Sequence, residues 1–133
     1  MSRMIFVNLP VRDIGASRRF FSRLGFDFNP QFSDDHTLCM VVADNIFVMM
    51  LEEQFFKTFI NGEVSDAHTA TEVLTCLSAG SRAEIDEMVA QAIEAGGKPW
   101  KEPLQQDGMY GGSFQDLDGH VWELVYMEQP GQD

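Results

Sequence analysis

The local signals of this chain repeat in order. Strand, helix, strand, strand, strand can be read from Met4 to about Ile60 and again from about Glu72 to Met127, an offset of about 70 residues that points to internal duplication. The punctuation repeats too: Leu24-Gly25 closes the first helix as Ala95-Gly96 closes the second, and the turn Asp44-Asn45 matches Asp118-Gly119. A unit with one helix cannot cover both faces of its own sheet, so two such units need each other. The expected fold is α+β: two βαβββ modules whose curved mixed sheets surround a shared cleft, with the helices outside. It forms a single domain, 1–128, with modules at about 4–60 and 70–127 and a disordered tail at 129–133. Such a cleft is the default place for a ligand.

In the first module, Met4 to Leu9 reads as a strand that stops at Pro10, with Asn8 as its one polar interruption on the face of Met4 and Phe6. Asp13 caps a helix with Phe20, Phe21 and Leu24 on one side, and Gly25 ends it. Phe26 to Phe32, Leu38 to Val42 and Ile46 to Leu51 read as strands, and Glu52 to Ile60 as a short helix bearing Phe55, Phe56 and Phe59. In the second module, Glu72 to Ser78 is a strand. Ser81 with Glu84 forms a capping box for a helix through Ile93, Lys98 to Lys101 is a short strand, Leu104 to Asp107 a loop and Met109 to Gln115 a strand.

Asp118-Gly119 reads as the two-residue pair of a type I′ hairpin turn, leading into Val121 to Tyr126. Alternation puts Val121, Glu123 and Val125 on one face of that strand and Trp122, Leu124 and Tyr126 on the other. Glu123 is therefore a carboxylate in an apolar row, either at a solvated rim or in a cleft where it meets a metal, a proton or a cation.

Composition narrows the function classes. Twenty-one acidic against nine basic residues, net −12, repel phosphate backbones and argue against nucleic acid or an anionic membrane as partner. No apolar run approaches the roughly 18 residues of a membrane span, the N-terminus lacks a secretory signal pattern, and Cys39 and Cys76 sit in strand-like runs, so a cytoplasmic location is expected. His36, His68 and His120 occupy turns or connectors without partners at ligand spacing. There is no phosphate-binding glycine loop and no serine or cysteine nucleophile motif.

The paired βαβββ order, the helix ending Leu-Gly-Phe at Leu24–Phe26 and the closing Asp-Leu-Asp-Gly-His-Val-Trp-Glu at Asp116–Glu123 resemble the vicinal oxygen chelate superfamily of glyoxalases, bleomycin-resistance proteins and extradiol dioxygenases. The resemblance covers about Met4 to Met127, with Leu117 where the family more often has Pro. It implies a ligand cleft lined by both sheets, frequently a homodimer and, in the enzymes, a divalent metal held by one residue from each of four strands. The matching positions are Asn8, Met49, Leu74 and Glu123, of which only Glu123 has the family's ligand type. An amide, a thioether, an aliphatic side chain and one carboxylate do not make a transition-metal site, so neither metal nor other cofactor is expected.

The candidate ligand-binding residues are Phe6, Asn8, Met49, Leu74, Trp100, Tyr110, Phe114 and Glu123, with Glu123 as the candidate catalytic group. Two functions remain open. One is metal-independent binding of a small aromatic or cationic molecule in the inter-sheet cleft; the other is a metal-assisted lyase, isomerase or dioxygenase, lactoylglutathione-lyase-like or dioxygenase-like, working through Glu123. A homodimer is expected, since Phe55, Phe56 and Phe59 would otherwise form an exposed apolar stripe.

Overall fold

A computed structural model describes residues 3–128, so the tail expected at 129–133 lies outside the described residues. The chain divides into two compact units, the first through Ser65 and the second from Asp66. Among the described residues no helix is long and apolar enough to cross a membrane.

The first unit contains β1 (Ile5–Val11), α1 (Ile14–Arg23), β2 (Asp27–Phe28), a 3-10 turn (Pro30–Phe32), β3 (Thr37–Ala43), β4 (Ile46–Glu52) and α2 (Glu53–Lys57). Its sheet runs β1-β4-β3-β2, with β1 parallel to β4 and the other pairs antiparallel. Asp13 caps α1 by accepting a bond from the Ala16 amide at 3.1 Å, and Gly25 leaves the helix at φ 99°. Arg18 lies 5.2 Å over the Phe28 ring and Phe21 meets Phe26 edge-on, which puts α1 on the sheet face that carries Phe28, Met40 and Val48.

Three boundaries in this unit differ from expectation. β1 does not stop at Pro10 but continues to Val11, because an edge strand tolerates a residue with no amide hydrogen to give. The strand expected over Phe26 to Phe32 shrinks to Asp27–Phe28. Asn29 accepts the Gln31 amide at 2.9 Å and Pro30 begins a helical turn, so the chain leaves the sheet there. The helix expected to reach Ile60 ends at Lys57, where the Thr58 hydroxyl donates to the Phe55 carbonyl at 2.7 Å.

The second unit contains β5 (Leu74–Ser78), α3 (Arg82–Glu94), β6 (Lys98–Pro99), β7 (Leu104–Gln106), β8 (Met109–Gln115) and β9 (Val121–Met127). The order is β5-β9-β8, with β6 and β7 both pairing β8, and β5 runs parallel to β9. Ser81 accepts the Glu84 amide at 3.0 Å, the expected cap. Gly112 shows where α3 packs. A Cβ at that position would lie 2.6 Å from Ile85 Cγ2, so the helix rests directly on the backbone of β8. Buried Ile85, Ala92, Phe114, Trp122 and Leu124 form the core of that contact.

The turn chemistry of this unit differs from the reading above. The stretch expected to be a loop, Leu104 to Asp107, contains β7, and the two-residue turn with positive φ at both positions is Asp107 (53°) with Gly108 (76°). Asp118-Gly119 is not such a pair: only Gly119 has positive φ, 85°. Here the Gly119 amide bonds to the Asp116 carbonyl at 3.1 Å and the Asp116 amide to the His120 carbonyl at 2.9 Å, enclosing three residues. Gly119 is also needed for space, since a Cβ would come within 2.7 Å of the His68 amide nitrogen in the connector. The first strand of the unit starts at Leu74 rather than Glu72, and β6 covers only Lys98–Pro99, after which 100–103 bulges from the sheet.

Candidate functional site

Strand register decides which side chains share a face. In the second sheet Glu123 stands between Cys76 of β5 and Ser113 of β8, on the face opposite α3. Leu74, Met109, Gly111 and Val125 belong to the same face. Glu123 is half-buried, Cys76 is exposed and Ser113 is buried, its hydroxyl accepting the Lys101 amide at 3.1 Å. These residues, with Lys101, Glu102 and Leu104, line a depression of about 260 Å3. Glycine at 111 leaves the space open between two strands of larger residues. Burial, followed by the neighbouring Glu123 charge, pushes the Cys76 thiol above its ordinary value, so it stays protonated and is a poor nucleophile near neutrality.

In the first sheet, Asn8 pairs with Met49 and Met49 with Cys39, on the face opposite α1. Asn8 spends one amide hydrogen on the Phe6 carbonyl at 3.1 Å. One pair along, Phe6 stacks on Phe47 with centroids 5.0 Å apart and planes 11° apart. Met49 is half-buried and Cys39 fully buried.

The structure thus groups the sequence candidates differently from the single list. Phe6, Asn8 and Met49 share one face of the first sheet, and Leu74 and Glu123 share one face of the second. Leu74 pairs with Val121, whereas Cys76 pairs with Glu123, so the residue beside the carboxylate is Cys76, which was not among the candidates. Counting back from the helix caps gives the same correspondence: Leu74 is as far from Ser81 as Phe6 is from Asp13, and Cys76 matches Asn8. Phe114 and Tyr110 do not reach the Glu123 face. They pair with Trp122 and Tyr126, and alternation turns them toward α3, where Phe114 is buried and the Tyr110 hydroxyl donates to Asp86 at 2.5 Å. Trp100 lies in the 100–103 bulge, outside the sheet.

Asp116 was missed as well. Its carboxylate is buried and accepts from the amides of Asp118 (2.9 Å) and His120 (3.0 Å) and from the Trp122 indole (2.9 Å), tying the hairpin loop to the residue before Glu123. Burial raises its pKa, partly offset by His120 and by the donated bonds. An acidic residue two before an Asp-Gly pair is the local signal for such a side-chain-closed turn.

The four family positions do not fit a divalent metal. Among the described residues there is no group of three or more His, Cys, Asp or Glu that could hold one. The donors beside Glu123 are a thiol biased toward its protonated form and a hydroxyl already engaged with a backbone amide, neither of which replaces an imidazole or a second carboxylate.

Residues 3–44 match the family described as bleomycin resistance protein-like N-terminal. No curated protein matches the chain. Among solved structures, an S. aureus protein is similar at 29% identity over 95% of both chains, with a TM-score of 0.80. A glyoxalase/bleomycin resistance protein/dioxygenase family enzyme from Burkholderia phytofirmans has 16% identity, a TM-score of 0.77 and coverage of 95% of this chain and 99% of its own. The bleomycin resistance determinant encoded on the transposon Tn5 has 20% identity and a TM-score of 0.66, over 96% of this chain and 100% of its own. With the last two the likeness is one of fold. The first module thus matches a bleomycin resistance protein-like family, and the fold is similar to that of glyoxalase and bleomycin-resistance proteins.

Proposed function

We propose that the chain binds a small organic molecule in the depression on the second sheet, without a metal, and that Glu123 receives the ligand's positively charged or proton-donating group. The observation that carries this reading is the setting of Glu123: a half-buried carboxylate flanked by Cys76, Ser113 and Gly111, in a concavity of about 260 Å3. Val125, Met109 and Leu104 offer apolar contact to the body of such a ligand, and the net charge of −12 favours the approach of cations. A metal-assisted lyase, isomerase or dioxygenase would need hard or imidazole donors around Glu123, and the misfit of Cys76 and Ser113 weighs against it. The test is thermal: a library of small amines and aromatic amines is screened for stabilisation of the wild type and of Glu123→Gln, beside a scan of nickel, zinc, manganese and iron. Stabilising amines whose effect vanishes in Glu123→Gln are expected. A metal that raises the melting temperature of the wild type but not of the variant would overturn the metal-free reading. A homodimer accompanies the proposal, motivated by Phe59 and Phe55, which pack edge to face at 5.0 Å and are 67% and 37% exposed. Sedimentation at twice 15.0 kDa is the expected result.

A further inference from the structure

On the α3 side of the second unit lies a larger groove, about 550 Å3, within the range of small-molecule sites. One wall is the helix, with Asp86, Val89 and Ile93, and the other is the bulge from Pro99 to Pro103, with Trp100. Gly112 and Ser113 contribute to its lining. The bulge stands away from β8 because β6 ends at Pro99 and β7 begins at Leu104; the Lys101 amide bond to Ser113 Oγ anchors it.

We infer that this groove is a second ligand site, which shares Lys101, Glu102, Gly112 and Ser113 with the edge of the Glu123 depression but not Glu123 itself, and takes a small organic cation with an aromatic body stacked on Trp100. Three features select that chemistry. Lys101 Nζ already sits 5.9 Å from the Trp100 ring centroid, near the outer limit of a cation–π contact, so the ring face holds a positive charge supplied by the chain itself. Asp86, fixed through Oδ1 by the Tyr110 hydroxyl, and Glu102 bring two carboxylates to the lining against the single ammonium of Lys101. The other nearby cation, Arg82, is turned to Tyr110, Gln105 and Glu128 and is not part of the lining. Val89, Ile93 and the prolines supply the apolar surface that a ring requires. On this account the Lys101 side chain is a tethered occupant which the ligand displaces.

Displacement gives the proposal a signed test. Equilibrium dialysis of the full chain with benzyltrimethylammonium, with benzyl alcohol as the neutral control, should show saturable binding of the cation only. Lys101→Met removes the internal competitor and should tighten binding about two- to fivefold, the worth of an exposed cation–π contact. Trp100→Leu and Asp86→Asn should each weaken it, while Glu123→Gln leaves it unchanged, which separates this site from the function proposed above. Weaker binding by Lys101→Met would mean that the Lys101 side chain supports the bound cation instead of competing with it, and would overturn the inference. So would loss of binding in Glu123→Gln with retention in Trp100→Leu, or no saturable binding at all. Melting temperatures of the four variants establish that each is folded.

Discussion

The two modules share register and strand order, yet their corresponding sheet faces differ. On the first, Asn8, Met49 and Cys39 form a row of medium-sized side chains beside the stacked rings of Phe6 and Phe47. On the second, the corresponding row is Cys76, Glu123 and Ser113, followed by Gly111 and Val125. The backbone is the same in kind; side-chain volume and one carboxylate turn the second face into a depression. The two modules offer the same scaffold, and local substitution sets the volume and charge that each face presents.

The sharpest way to break this contrast is to fill the second face as the first is filled. Gly111 has no positive φ, and a Cβ there would meet only the Leu124 and Leu104 carbonyls, at 3.6 and 4.0 Å, which is ordinary contact. Gly111→Val should therefore be accommodated, with its methyl groups occupying the depression. The expected outcome is loss of ligand stabilisation by at least about tenfold in affinity, with a melting temperature equal to or above wild type, because valine suits a strand better than glycine by about 0.5–1 kcal/mol. Retained affinity in Gly111→Val would move the ligand elsewhere.

The converse exchange places a carboxylate on the first face. Met49→Glu sets a charge beside fully buried Cys39 and the Asn8 amide, with no cation in that row. Chemical denaturation should show a loss of about 1–3 kcal/mol, and no new amine binding should appear, because the row of Asn8, Met49 and Cys39 has no glycine to leave space beside the new carboxylate. A gain of binding would show that the carboxylate alone makes the difference.

Much of this contrast was legible in the sequence, and the illegible part has identifiable causes. The repeat, both helix caps and the face of Glu123 follow from periodicity and from Asp13, Gly25, Ser81 and Gly96, which act within a few residues of themselves. The neighbours of Glu123 depend on pairing between β5 and β9, some 47 residues apart by the Cys76 to Glu123 partnership, and that register is carried by the distance back from the caps at Asp13 and Ser81, not by residue type along the strand. Hence Leu74 was placed where Cys76 stands. The turns failed for another reason: two Asp-Gly pairs, at 107 and 118, carry the same local propensity, and the Asp116 side chain closes the second in a different geometry. Trp100 was among the candidate ligand-binding residues, but the groove it borders needs α3 beside the bulge, a tertiary feature.

That hairpin provides a further comparison, between a loop closed by a buried carboxylate and the two-residue Asp44-Asn45 turn of the first module. Asp116→Asn keeps an acceptor for the Asp118 and His120 amides but can oppose an amide donor to the Trp122 indole, so a loss of about 1–3 kcal/mol is expected near neutrality. The pH dependence carries a sign. Because burial raises the folded pKa of Asp116, its contribution is fully present below the ordinary aspartate value, and is lost as pH rises through the folded pKa. The variant's deficit should therefore be largest in acid and shrink toward neutral pH; a deficit that grows with pH would mean that the three donors outweigh burial.

The smallest expected effect lies at the end of the first module's last strand, where a carboxylate does find a cationic partner. Glu52 Oε1 is 3.0 Å from His36 Nδ1, and this hydrogen bond, with the Glu52 charge next, raises the His36 pKa above 6.5. The His36 side chain is exposed and that of Glu52 partly so, and water and salt screen the pair. A raised histidine pKa adds stability that is present below pH 6.5 and disappears as pH rises through the folded value. Glu52→Gln should accordingly lower the melting temperature slightly at pH 5.5 and leave it unchanged at pH 8.5, with the small difference vanishing in high salt. Ligand binding in the second module should not respond to this substitution. Glu123 meets Cys76 and Ser113 on the neighbouring strands, neither of them basic, and under the proposed function Glu52 has a local pairing role while Glu123 faces a ligand. A Glu52→Gln protein that lost amine binding while keeping its melting temperature would undo the assignment.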